Sequence, residues 1–105
     1  MATVLKSPEI AQLAIATGDL YTCPSATTAL VKITLVNTDA VARTVNLFRL
    51  NSAGTATRLI DKDYPMDAGR EVSVGSFSLE AAGKIRGNAS AATVVDVTMT
   101  VLERT

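Results

Sequence analysis

Histidine and tryptophan are absent from this sequence, and cysteine occurs once. Without histidine there is no imidazole base, no imidazole metal ligand and no hydroxyl or thiol triad of the usual kind. Cys23 has no partner for an internal disulfide and no histidine to activate it, so it is expected to be a small buried hydrophobe. Aromatics are scarce, with two Tyr and two Phe. That leaves no stacking platform for single-stranded nucleic acid and little face for a sugar ring. Charge of one sign is also missing: 10 Lys plus Arg balance 10 Asp plus Glu, so no general field draws nucleic acid or an anionic membrane. No run approaches the roughly 20 apolar residues of a membrane span. The N-terminal piece AQLAIA is short and interrupted, and Glu9 stands where a signal peptide would stay positive. These features predict a chain made in a cytoplasm and not exported, without catalytic activity or a cofactor.

What the sequence does contain is alternation. The 105 residues suit one domain, and the 48% apolar fraction is dominated by Val, Ala, Leu and Ile, with many Thr, types that fit a pleated, half-buried surface. Ala29, Val31, Ile33 and Leu35 share one face of a segment, opposite Lys32 and Thr34. Val95, Val97, Met99 and Val101 do the same, opposite Asp96, Thr98 and Thr100. Period-two patterning of this kind marks antiparallel strands wet on one side. Between Arg43 and Leu50 the pattern loosens, with Val45 and Leu47 facing one way and Phe48 and Leu50 the other. A strand covered on both faces, by a loop or by a neighbouring subunit, is the expected cause.

Turn signals recur at short intervals, among them Thr17-Gly18-Asp19, Asn37-Thr38-Asp39, Asn51 to Gly54, Pro65 to Gly69 and Gly87-Asn88. Gly69, Gly75, Gly83 and Gly87 are isolated and match neither a P-loop nor a dinucleotide fingerprint. Strands are predicted near 11–16, 19–23, 28–37, 43–50, 57–62, 70–79, 84–89 and 92–103. Pro8 to Gln12 reads as a helical turn or an arm, and Leu79 to Gly83 as a tight loop between strands. The expected fold is all-β: a two-layer antiparallel sandwich of about eight short strands with jelly-roll-like connections. Residues 1–18 form an N-terminal arm or first edge strand, and residues 19–105 the single sandwich domain.

Two clusters of charged residues could bear on chemistry. Asp61, Asp63 and Asp67 supply oxygens of the type Ca²⁺ prefers, but the spacing is not that of an EF-hand loop and Lys62 intervenes. A solvated strand end is the simpler reading. Lys84 and Arg86 share a strand face, with Arg104 nearby if their strands pair. Such a patch is too small for strong nucleic-acid binding and suits solvated or inter-subunit ion pairs.

The order of motifs carries a resemblance. Tyr21-Thr22-Cys23-Pro24 precedes an alternating strand that ends at Asn37-Thr38; then come an Asp67-Ala68-Gly69 turn, the stretch Leu79-Glu80-Ala81-Ala82-Gly83-Lys84-Ile85, and a final Val/Thr-rich strand. Over about residues 19–103 this resembles small β-sandwich structural proteins of tailed bacteriophage virions. Cys23 departs from the pattern, which carries valine or a similar apolar residue there, and residues 1–18 lie outside it. The resemblance implies a capsid decoration or cement protein that reinforces capsomer joints. Its alternative is a tail, neck or fibre accessory protein. Either would reside in the virion and bind the major capsid protein, other virion proteins or further copies of itself. A carbohydrate-binding sandwich is a third reading, which would need an aromatic face or a clear Ca²⁺ site. Partner contacts are expected first from the arm, at Leu5, Pro8, Ile10 and Leu13. The loops marked by Asp39, Arg43, Asn51, Tyr64 and Met66 come next, because loops on a rigid sandwich usually make the contacts.

Overall fold

A computed structural model describes residues 2–8 and 12–105. Nine strands follow one another: β1 (Thr3–Lys6), β2 (Gly18–Thr22), β3 (Thr28–Asn37), β4 (Arg43–Leu50), β5 (Ala56–Arg58), β6 (Tyr64–Met66), β7 (Glu71–Leu79), β8 (Lys84–Ala89) and β9 (Val95–Arg104). They form two antiparallel sheets, ordered β1-β9-β3-β7 and β2-β8-β4-β5, with β6 also on β4. Neighbours within a sheet are mostly far apart in sequence while the chain crosses repeatedly between sheets, which is jelly-roll connectivity. No helix long and apolar enough to cross a membrane occurs among the described residues.

The alternating segments become the centre of the first sheet. β3 and β9 pair along their whole length, from Thr28↔Arg104 to Asn37↔Val95. Ala29, Val31, Ile33 and Leu35 therefore meet Val95, Val97, Met99 and Val101 on the inner face, all buried. Across the core, the second sheet contributes Leu20, Val45, Leu47, Ile85 and Ala89. Cys23 is buried as expected, its thiol 3.3 Å from the Thr27 carbonyl. Gly87 lies opposite Leu47 in the β4–β8 ladder. A Cβ there would sit 2.8 Å from the Asn46 carbonyl oxygen and 2.9 Å from Leu47 Cδ2, so the close approach of backbone and side chain requires glycine.

The two-sided apolarity of β4 is met by the chain itself. Its outward Phe48 lies under the Arg58 guanidinium, 4.7 Å from the ring centroid, a cation–π contact. Asn46 Oδ1 accepts from Arg58 Nη1 at 2.7 Å and from the Asp63 amide at 2.9 Å, while its Nδ2 donates to Asp63 Oδ1 at 3.0 Å. These bonds draw 59–63 over the outer face of the second sheet. That is why the strand expected at 57–62 stops at Arg58, and why Asp61 and Asp63 lie in a loop. The chain then re-pairs as β6, placing Pro65, which has no N–H to give, on a sheet edge.

The N-terminal region differs most from expectation. Of the strand expected at 11–16, the described residues show a single bridge, Gln12↔Asp96. Leu13 donates its amide to the Val95 carbonyl and Ala14 accepts from the Ala89 amide. The segment thus closes the end of the sandwich between the two sheets and inserts Leu13 into the core. Thr3–Lys6 instead supplies the edge strand. The helical-turn or arm alternative at Pro8 to Gln12 falls largely outside the described residues.

One buried polar side chain organises the same end. Asn37 is fully buried; its Nδ2 donates to the Val41 and Met66 carbonyls, each at 3.0 Å, and its Oδ1 accepts from the Asp39 amide at 3.0 Å. It ties the β3–β4 loop to the β6–β7 loop. Asn37→Ala leaves these groups unsatisfied and should lower stability by about 2–3 kcal/mol, read as a shift in urea midpoint. Gly87→Ala should cost about 1–3 kcal/mol by overpacking in the same assay.

Candidate interaction surface

The outer face of the first sheet follows from the register that builds the core. Leu5 pairs with Leu102, Leu102 with Leu30 and Leu30 with Ser78, so three leucines form a row across three strands. They are exposed by 69%, 38% and 46% respectively. Beside them lies a depression of about 340 Å³ lined by Thr3, Thr28, Ala29, Leu30, Ser78, Leu102 and Arg104. A contiguous apolar row on the outer face of a sheet is a surface suited to burial against another protein.

Behind that row a buried cluster holds β1 in place. Glu103 points into the sandwich. Its Oε1 lies 2.8 Å from Lys6 Nζ, and Tyr21 of the second sheet donates its hydroxyl to Oε2. The chain ends join as well: the Thr105 amide donates to the Ala2 carbonyl at 2.9 Å. Lys6, then Tyr21, hold the Glu103 carboxyl below the usual glutamate range. Burial, reinforced by Glu103, pushes the Tyr21 phenol well above its ordinary value, and burial pushes the Cys23 thiol up.

Charge is segregated along the strands although the net charge is zero. Arg104 and Lys32 flank the leucine row on the outer face, and neither has an ion-pair partner among the described residues. Lys6, Arg49 and Lys84 stand at the same end, where Lys6 pairs with the buried Glu103, Lys84 pairs with Asp19 and Arg49 donates to the Ser78 carbonyl. The opposite end carries Asp96, Glu71, Asp67 and Asp39 against Arg43 and Arg70. Arg43 is taken up by Asp39, Nη2 to Oδ2 at 2.6 Å, which holds that carboxyl below the usual range. Ile15 and Val41, 60% and 51% exposed, lie in two separate loop segments at this end. The Ile15 carbonyl accepts from Asn88 Nδ2, and Val41 lies in the loop bound by Asn37.

The expected contact residues separate into groups. Leu5 is the most exposed of the leucine row, and Pro8 is half-buried. Ile10 lies outside the described residues. Leu13 and Met66 are core residues, so neither is available to a partner: Leu13 plugs the sandwich end, and β6 turns Met66 inward. Asp39 and Arg43 pair with each other. Asn51 Oδ1 caps its own turn by accepting from the Ala53 and Thr55 amides. Tyr64 is half-buried against the core. Arg104 does not join Lys84 and Arg86, because β9 and β8 belong to different sheets; those two cations pair with Asp19 instead. Leu30 and Leu102 were missed. Their signal was present, since each is a leucine at an outward position of a mostly polar strand face, beside Thr28, Lys32 and Thr34 in β3 and Asp96, Thr98 and Thr100 in β9. Among the described residues no group of three or more His, Cys, Asp or Glu side chains is placed to hold a metal ion.

Comparison with known proteins gives the fold. A protein of Bacillus endospore appendages, described as a family of disulfide-linked pili, superposes with a TM-score of 0.63 at 15% identity, covering 98% of this chain and 88% of that one. A protein of infectious bursal disease virus, Gx strain, superposes with a TM-score of 0.56 at 10% identity, covering 96% of this chain and 30% of that one. No protein-family model matches the sequence, and no curated protein matches it.

The Glu103 cluster makes a pH prediction. With its carboxyl pKa depressed in the fold, stability from Glu103 is present above the ordinary glutamate value and lost as pH falls through the folded value. Unfolding free energy should therefore drop on acidification below about pH 4.5. Glu103→Gln should show a shallower acid limb, measured by denaturant unfolding across that range.

Proposed function

We propose that this protein is a structural subunit of a multi-copy assembly and acts by burying surface between neighbours. The observation that carries this reading is the leucine row: three exposed leucines held in fixed register on a sheet whose other face is the core. The chemistry required is modest. Interfaces of about 1,600 Å² repeated over a lattice resist disruption without any single strong site, and the zero net charge avoids long-range repulsion between closely set copies. No catalytic step enters the proposal.

Within that class we favour a virion role, as a decoration protein on the head exterior of a tailed phage. The order of turn motifs from Tyr21 to Ile85 supports it, and the jelly-roll likeness to an infectious bursal disease virus protein is compatible with it. The likeness to an endospore pilus protein favours a second reading, a subunit of a fibre or other filament. Disulfide linkage of the kind named for that pilus is not part of this reading, because Cys23, the single cysteine of the sequence, is buried.

Copy number in purified particles separates the two readings. Hundreds of copies on the head, with earlier heat or osmotic rupture of stripped particles, is the expected result for decoration. Stripped and complete heads of equal resistance would remove that role. The double variant Leu30→Asp, Leu102→Asp should incorporate at least about tenfold less well while its unfolding midpoint stays near that of the parent, as measured by particle co-sedimentation.

A further inference from the structure

We infer that copies of this protein join end to end, the leucine row and its depression receiving the Ile15 and Val41 projections of the next copy. The inference rests on the assembly reading and names the partner as a second copy in one polarity. The leucine row is the third pair of the β3–β9 ladder, and Ile15 and Val41 lie past its last pair, Asn37↔Val95, so the two features are at least about seven strand positions apart, or roughly 24 Å. The molecule measures 46 × 25 × 18 Å, so one copy places the two surfaces far enough apart that neither blocks the other.

Charge selects this polarity. Two leucine rows laid face to face would bring Lys32 and Arg104 of both copies around one dry seam, and like charges in an interface disfavour the pairing. Two acidic ends would oppose Asp96, Glu71 and Asp67 in the same way. Leucine end against acidic end sets Lys32 and Arg104 beside those carboxylates, with the leucines, Ile15 and Val41 at the centre. This is an apolar middle with a charged rim, the usual anatomy of an interface. Because the contacting surfaces differ, each junction leaves one of each free, so the contact repeats into a ring or a filament.

Sedimentation analysis of the full chain tests this. The wild-type mean mass should rise with concentration, and less so at high salt, since the rim charges are screened. Leu30→Glu and Val41→Glu each change an exposed residue, one per end, and each should raise the concentration needed for association by about tenfold or more. An equimolar mixture of the two variants retains one intact junction and should form pairs and nothing larger. Association of Val41→Glu like wild type, with Leu30→Glu monomeric, would replace this arrangement with face-to-face pairing. Wild-type behaviour from both variants would place the contact elsewhere. A wild-type chain that stays monomeric alone yet incorporates into purified particles would overturn end-to-end joining and leave the structural reading standing. Arg104→Glu should weaken association and be rescued by mixing with Asp96→Lys, a result that loss of fold cannot produce.

Discussion

Everything in this molecule depends on the register of β3 against β9. Ten consecutive pairs place Val31 opposite Val101 and Ile33 opposite Met99. A slip of one residue would send one strand's set to the outer face and bring either Lys32 or Thr100 into the core. The same register sets the outer surface, because Leu30 and Leu102 can share a row only when Val31 and Val101 share one beneath. Core and contact surface are two faces of one ladder, so selection on either constrains the other.

Buried polar groups then decide how the sheets and loops attach to that ladder. Apolar packing alone would tolerate sliding of one sheet over the other, whereas the Tyr21–Glu103 hydrogen bond joins β2 to β9 at one position, and Lys6 extends it to β1. Asn37 performs the corresponding task at the opposite end, where the Val41, Met66 and Asp67 carbonyls and the Asp39 amide converge on one side chain. Each is expensive to leave unpaired in the interior and specific when paired. The sandwich is thus pinned at both ends of its long axis, near the two surfaces proposed to meet other copies.

The sequence disclosed the parts of this design that depend on periodicity. β3 and β9 stood out because every second residue is apolar, and β4 because its alternation fails in a way that demands cover on both sides. It did not disclose what depends on a single side chain reaching a distant backbone. Asn46 drawing Asp63 across β4 shortened one expected strand and revealed another. Leu13, which by pattern belongs to a strand, became a plug because Val95 and Ala89 offered its segment two backbone partners at an open end. The contact surface was half legible. Leu5 could be named from its place in an arm, but Leu30 and Leu102 acquire meaning only when register sets all three side by side.

Zero net charge had been the least informative number in the composition, since it excludes partners without proposing any. Resolved along the strands, it becomes a difference between two ends. The cations outnumber the acids where the leucines lie, and the acids outnumber the cations around Asn37. A uniformly mixed surface would keep copies soluble without orienting them, and a large net charge would hold them apart. Opposite excesses at opposite ends do neither. They leave the long-range repulsion near zero, bias the short-range encounter toward one polarity, and lose strength with salt. The end-to-end joining we propose would use such a surface to add copies in one direction with only a few apolar residues at each end. It needs no deep pocket, no metal and no covalent bond to do so.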